Sequence, residues 1–244
     1  MPPIEINGQT VSDVVVNGQS VDEVTANGQT AFAAIPDNVV DNFEDAGGDP
    51  AGFYEDGETL SDYYSGDTGD FQRFSTDDAE GDTAVERTSQ GENWILSTPG
   101  DGLNRYAVAG ETVAWLGYDP SGQQFAGPVF LGANPNSLDG YSFVIRGGDG
   151  LRIERFDGGF GTAYTNSASV SADVWYWCEA DLPDDGDATI EFRAYHLSTN
   201  LERGDLIGSV SATDDTHVGN EGVGLAGRST NVNGPIADWI RVIE

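Results

Sequence analysis

Apolar positions along this chain recur every second residue, not every third or fourth. Trp175, Trp177, Glu179 and Asp181 alternate with Tyr176, Cys178, Ala180 and Leu182, and Ile190, Phe192 and Ala194 alternate with Glu191, Arg193 and Tyr195. Successive side chains on an extended backbone leave opposite faces, so a period of two marks strands that bury one face. No window of about a dozen residues carries the 3.6-residue stripe of an amphipathic helix. Strands are predicted at Thr112–Tyr118, Tyr141–Arg146, Leu151–Phe156, Val174–Leu182, Thr189–Leu197, Leu206–Ser211, Gly222–Ala226 and Ile236–Ile243. Gly, Asp, Asn and Pro punctuate them. Gly147-Gly148-Asp149-Gly150 and Asp157-Gly158-Gly159 read as hairpin turns, because no helix follows to make either a phosphate loop. Many short, evenly spaced strands predict an all-β, two-sheet sandwich or jelly roll, one domain over residues 37–244.

Residues 1–36 follow a different pattern. Ile4-Glu5-Ile6-Asn7-Gly8-Gln9-Thr10-Val11 returns ten residues later as Val14-Val15-Val16-Asn17-Gly18-Gln19-Ser20-Val21, and again as Val24-Thr25-Ala26-Asn27-Gly28-Gln29-Thr30-Ala31. Asn-Gly tolerates the positive φ that a type I′ hairpin turn requires at both central residues. A small β-repeat of this size buries little surface alone and needs neighbours. If those neighbours are the same segment of other chains, residues 1–36 are an assembly or docking stalk, with Asn7, Gly8, Asn17, Gly18, Asn27 and Gly28 as its turns. If the neighbour is the main domain, the repeat is a flap lying on it.

Charge changes the picture most. The chain carries 42 acidic against 10 basic residues, a net charge of −32, and every basic residue is Arg. Such a surface repels phosphate, which argues against nucleic acid as a partner. In molar salt the Debye length falls to about 3 Å and self-repulsion is screened, so the composition reads as adaptation to very high salt. No run of 18 apolar residues is present, so no membrane insertion is expected. Met1-Pro2-Pro3-Ile4-Glu5 has neither a basic nor an apolar signal region, so no secretory leader is expected. Cys178 is alone, which rules out an internal disulfide, and reads as a small buried residue. His196 and His217 lie 21 residues apart and show no zinc spacing.

Several segments resemble concanavalin A-like, laminin-G-like jelly-roll domains of haloarchaeal proteins. They are Asp41-Asn42-Phe43-Glu44-Asp45, the run from Leu60 to Phe71, Asp139-Gly140-Tyr141-Ser142-Phe143, Leu151-Arg152-Ile153-Glu154-Arg155 and Trp175 to Asp181. Asp238-Trp239-Ile240-Arg241-Val242 is similar to that family's closing Asp-Asp-Val-Arg-Val strand, with Trp239 in place of the second Asp. The resemblance covers residues 39–244 and implies the fold. It also implies a structural calcium ion tying the first and last strands through Glu44, Asp45 and Asp238. The Asn-Gly-Gln repeats resemble segments of structural proteins from haloarchaeal viruses.

Candidate chemistry is sparse. Glu179-Ala180-Asp181-Leu182-Pro183-Asp184 resembles the Glu-x-Asp-x-x-Glu of some retaining glycoside hydrolases, whose two working carboxyls stand about 5–5.5 Å apart. Here the third acid is Asp. In an acidic chain such a match is expected by chance, so catalysis is not the expectation. Glycan recognition uses an aromatic platform beside placed polar groups. The rings with polar handles are Tyr63, Tyr64, Trp94, Trp115, Trp175, Trp177 and Trp239, most of them expected in the core. No Gly-x-Ser-x-Gly elbow is present.

Together these features imply a virion surface protein of a virus of halophilic archaea. It would form a homo-oligomeric spike, turret or fibre, a trimer or pentamer, with the repeats as its base and contacts to other capsid proteins. The jelly roll would face outward and bind host surface glycans. Assembly would take place in a high-salt cytoplasm, with release to a hypersaline exterior. The alternatives are a ligand-free capsid decoration protein, and a halophilic carbohydrate-binding module or glycoside hydrolase. The charge yields a direct test. Thermal unfolding followed across a salt series should show the midpoint falling steeply below about 0.5 M NaCl; an unchanged midpoint in dilute buffer would remove the high-salt reading.

Overall fold

The structure is a computed structural model. It describes strand segments within residues 4–33, and residues 38–44, 52, 54, 57–76, 83–103, 105–119, 125–229 and 235–243. Six short strands come first: β1 (Ile4–Ile6), β2 (Gln9–Val11), β3 (Val15–Val16), β4 (Gln19–Ser20), β5 (Glu23–Ala26) and β6 (Gln29–Ala33). They form three separate antiparallel pairs, β1 with β2, β3 with β4 and β5 with β6. Ile6 is opposite Gln9, Val16 opposite Gln19 and Ala26 opposite Gln29, so an Asn-Gly dipeptide intervenes in each. Asn7, Gly8, Asn17, Gly18, Asn27 and Gly28 themselves lie outside the described residues.

The remaining strands are β7 (Val39–Asp41), β8 (Ser65–Gly66), β9 (Phe71–Ser75), β10 (Thr83–Arg87), β11 (Gly91–Ser97), β12 (Thr112–Tyr118), β13 (Phe125–Gly132) and β14 (Asp139–Arg146), followed by β15 (Gly150–Asp157), β16 (Phe160–Asn166), β17 (Trp175–Asp181), β18 (Thr189–Leu197), β19 (Arg203–Thr213), β20 (Gly222–Ser229) and β21 (Pro235–Val242). Two single-turn 3-10 helices, Leu60–Asp62 and Thr68–Asp70, flank β8. The strands build two antiparallel sheets. The first runs β19-β18-β17-β12-β21-β10-β9, with β7 also on β21. The second runs β16-β15-β14-β13-β20-β11-β8. This is the expected all-β jelly-roll sandwich of two antiparallel sheets. Among the described residues no helix is long and apolar enough to cross a membrane.

Alternation decides what each strand buries. On β12, Val113 and Trp115 point between the sheets, while Ala114 and Leu116 join a separate apolar cluster on the outer face. Tyr176, Cys178 and Ala180 of β17 face inward, and Trp175 lies outside with Trp177 against it. Trp115 centres the core. It stacks on Phe192 of its own sheet at 5.4 Å and meets Phe130 and Phe143 of the other at 5.8 and 5.9 Å. Gly117 makes room for it: a Cβ there would lie 2.9 Å from Ile145 Cδ1 and 3.1 Å from Cys178 Sγ and Trp115 Nε1. Cys178 is fully buried, as the alternation implied.

Polar groups join the sandwich at its edges. Arg87 is fully buried where the chain passes from the first sheet to the second. Its Nε and Nη2 donate to Asn93 Oδ1 at 3.0 and 2.9 Å, and Asn93 Nδ2 donates to Asp70 Oδ2 at 2.6 Å. Asp214 accepts from Tyr141 Oη at 2.8 Å and Arg155 Nη1 at 2.6 Å, which fastens the segment after β19 onto β14 and β15.

At the other edge, Asp41 is fully buried on β7. Its Oδ2 accepts from the hydroxyls of Tyr64 and Tyr54 at 2.6 and 3.0 Å, and its Oδ1 accepts from the Phe43 N–H at 2.8 Å. Desolvation outweighs those bonds and the charge of Arg73, and raises the Asp41 pKa to about 6. The folded state then holds this proton more tightly than the unfolded chain does between about pH 4 and 6. The stability Asp41 contributes is full below that window and is lost as pH rises through it. Asp41→Asn removes the titration. The unfolding free energy of the parent relative to this variant should therefore be greater at pH 4 than at pH 7, by on the order of 2–3 kcal/mol. Denaturant titrations of both proteins in molar salt test this; a difference independent of pH would contradict it.

Candidate ligand-binding groove

The outer face of the second sheet carries a groove. Alternation on β11 turns Ile95 into the core and Trp94 and Leu96 outward. On β15 it turns Ile153 inward and leaves Glu154 and Phe156 on the outer side. These strands are not neighbours. The sheet order β15-β14-β13-β20-β11 brings their outward residues together, with Ser142 opposite Glu154, Phe125 opposite Arg228 and Ala226 opposite Trp94. The groove is narrow: the space between its atoms comes to ≈ 330 Å³ with open solvent counted, but only ≈ 10 Å³ of it admits the centre of a water molecule. Trp94 and Phe125 are its half-buried rings, while Phe156, Ala226, Ser142 and Glu154 are buried. Trp94 is held in one orientation, because its indole N–H donates to the Pro135 carbonyl at 3.0 Å. A second depression of ≈ 210 Å³, lined by Arg146, Leu151 and Arg152 among others, meets the first at Phe125.

The polar groups of the groove are coupled. Glu154 shows 2% of its side chain to solvent. Arg152 Nε pairs with its Oε1, and Arg228 Nη2 reaches the same oxygen at 3.4 Å. Burial raises the Glu154 pKa above its ordinary value, and the two arginines offset part of that rise. A buried carboxylate with a perturbed pKa, in a cleft, is a mark of a functional site. The guanidinium carbons of Arg146, Arg152 and Arg228 lie 4.2, 4.9 and 4.9 Å from the centre of the Phe125 ring.

The other rings singled out from the sequence lie elsewhere. Trp115 and Tyr64 are in the inter-sheet core, and Trp175 and Trp239 are buried on the outer face of the first sheet. Trp177 is half-buried there and meets Trp239 edge-on at 5.0 Å. Tyr63 packs edge-on against Tyr54, also at 5.0 Å. Phe125, Phe156, Glu154 and Arg228 carry no local signal beyond alternation. Only the strand order gathers them.

Glu179 and Asp181 of the hydrolase-like run share a face of β17 and Asp184 lies beyond its end, yet the oxygens of all three are engaged. Glu179 Oε1 accepts from Trp177 Nε1 at 3.0 Å and from Arg203 Nη1 at 2.7 Å. Asp181 is gripped by both terminal nitrogens of Arg193, at 2.5 and 2.7 Å. Burial raises the Asp181 pKa, but the bonds from Arg193 and Thr112 outweigh it and hold the group below its ordinary value. Asp184 Oδ1 accepts from the backbone of Gly186 and Asp187, each at 2.6 Å. An acid held ionised by arginine is a poor proton donor.

The acids proposed for calcium are engaged by the backbone. Glu44 Oε1 accepts the Thr83 N–H at 2.9 Å, and Asp238 Oδ1 accepts the Trp239 N–H at 2.6 Å. Asp45 lies outside the described residues. Among the described residues no group of three His, Cys, Asp or Glu is placed to hold a metal ion. The calcium expectation thus gains no ligand set there.

No protein-family model matches the chain, and no curated protein matches it. Solved structures of similar architecture do. The carbohydrate-binding module CBM66 from Bacillus subtilis is 14% identical over 73% of this chain and 92% of its own, with a TM-score of 0.40. The galectin LEC-6 from Caenorhabditis elegans is 12% identical over 57% and 86%, with a TM-score of 0.37. An endo-β-1,4-glucuronan lyase from Trichoderma reesei is 14% identical over 70% and 84%, with a TM-score of 0.38. These are likenesses of fold.

Proposed function

We propose that the domain is a glycan-binding module without hydrolytic activity, and that the groove at Trp94 and Phe125 receives the sugar. One observation carries this reading: half-buried rings, a buried carboxylate and an arginine share a single slot. A sugar ring offers an apolar C–H face and a rim of hydroxyls. It needs a flat apolar surface to lie on and charged or polar groups to fix its edge. Trp94 and Phe125 supply the surface. Arg228 supplies a donor and Glu154 an acceptor. Both arginine contacts to Glu154 fall on Oε1, so a ligand hydroxyl would use Oε2. Among the described residues, Glu179 and Asp181 are bound to arginines instead of being poised for proton transfer, which supports binding without cleavage.

The wider setting we propose is the virion surface of a virus of halophilic archaea. The acidic, lysine-free composition and the resemblance of the hairpin repeats support it. Residues 1–36 would gather several copies, and many weak sites on one particle would act together through multivalency.

The experiment is binding in about 2 M NaCl, where the acidic surface is screened. The probes are neutral and acidic polysaccharides and glycans released from the envelopes of halophilic archaea. Trp94→Ala should weaken binding roughly tenfold to a hundredfold. Trp177→Ala, on the outer face of the first sheet, should leave it unchanged. Loss through Trp177 in place of Trp94 would move the site to the other sheet. No binding of the unmodified protein to any probe would overturn the reading.

A further inference from the structure

We infer that the glycan is anionic, carrying carboxylate or sulfate on its sugars, and that Arg146, Arg152 and Arg228 around Phe125 read that charge. The inference rests on the groove being the glycan site and adds the class of glycan to it. Its ground is the distribution of positive charge. The chain has ten arginines for forty-two acids, and three of the ten converge on one ring at the seam of the two depressions. The acids lining those depressions are Glu92, Glu154 and Asp149. The groove is therefore balanced, while seven arginines face thirty-nine acids over the rest of the molecule.

The geometry suits the task. The three arginine side chains are 22, 19 and 28% exposed, open enough to touch a ligand and buried enough to escape much of the salt screening. Cation–π contact with Phe125 holds the guanidinium planes in place. Arg146 Nε is buried and has no hydrogen-bond partner among the described residues. The partner of its Nη1 is Asp149, whose side chain is 56% exposed, so that ion pair is open to solvent. Guanidinium forks match carboxylate and sulfate oxygens in pairs, which an ammonium group does not. A ligand running across Phe125 would place one sugar against Trp94 and the charged group of the next beside Arg146.

Molar salt makes the test clean, because the long-range repulsion between this acidic surface and a polyanion is screened there and only local contacts give selectivity. Binding would be measured in about 2 M NaCl to polygalacturonate against its carboxyl-reduced form, and to dextran sulfate against dextran. The acidic member of at least one pair should bind about tenfold more tightly, and which pair does so tells carboxylate from sulfate. Arg146→Gln should bring that ratio close to one, and Arg146→Lys should restore little of it, with thermal midpoints unchanged as the check on folding. Equal binding of both members through Trp94 would overturn the anionic class and leave the groove reading standing. A ratio unaltered by Arg146→Gln would overturn the assignment of Arg146. Preference for a neutral glycan outside both pairs would overturn the inference as well.

Discussion

With more than four acids for every arginine and no lysine, this chain has few cations to place, and each one placed decides what is joined. Arg87 sits buried where the two sheets are connected. Arg155 fastens the segment after β19 through Asp214. Arg193 and Arg203 neutralise Glu179 and Asp181 on the face of β17. Arg73 and Arg241 lie over Tyr54 and Trp239, at 4.1 and 4.3 Å from the ring centres. Exposed ion pairs add little to stability, but removing one partner of a buried pair strands a charge. The arginines therefore act less as a general glue than as fasteners at particular seams.

The same economy gives the groove its character. Its base is a sheet in which β11 pairs with β20 and β14 with β15 along their whole lengths, so the rings and charged groups stand on strands and not on loops. Placement on paired strands limits the entropy lost when a sugar is bound. Glu154 is kept in the groove by two arginines, so under the proposed function the electrostatics that make the buried acid tolerable and those that would meet a ligand are one arrangement.

Much of the architecture was legible in the sequence. The alternation in Thr189–Leu197 made that strand legible to the residue, because one face meets the core and the other is more exposed, while Thr112–Tyr118, buried at every interior position, was legible as a short apolar run. Strand β13 was not legible. Nearly every position of Phe125–Gly132 is buried, so alternation vanishes, and Pro128 argues against a central strand. The strand is tolerated because its ladder to β14 engages only Val129 and Phe130. Gly127 is required there as well, since a Cβ would lie 2.0 Å from the Phe143 carbonyl oxygen. The short strands β9, β10 and β11 lie among polar residues and show no pattern strong enough to read. Trp94 was recognisable as a ring suited to sugar. Its partners were not, because Phe125, Ser142, Glu154 and Arg228 come from four strands and meet only through the order in which those strands pair.

That order also bears on how the chain reaches its fold. β21 lies between β12 and β10, and β7 pairs with it as well, so Asp41 stands opposite Ile240 across nearly the whole sequence. Until residues 235–242 have been made, the first sheet is in three pieces, β7 alone, β9 with β10, and β12 with β17 to β19. Contacts of such long sequence separation carry a large loop-closure entropy and make folding slow. The second sheet has its own late member, β20, between β13 and β11. Both halves of the sandwich are thus closed by β20 and β21, the last of the domain's strands to be made, and the nascent chain must keep two sets of unpaired edges apart until then. A surface bearing so many like charges is suited to that wait, because partly folded copies repel one another wherever salt does not wholly screen them.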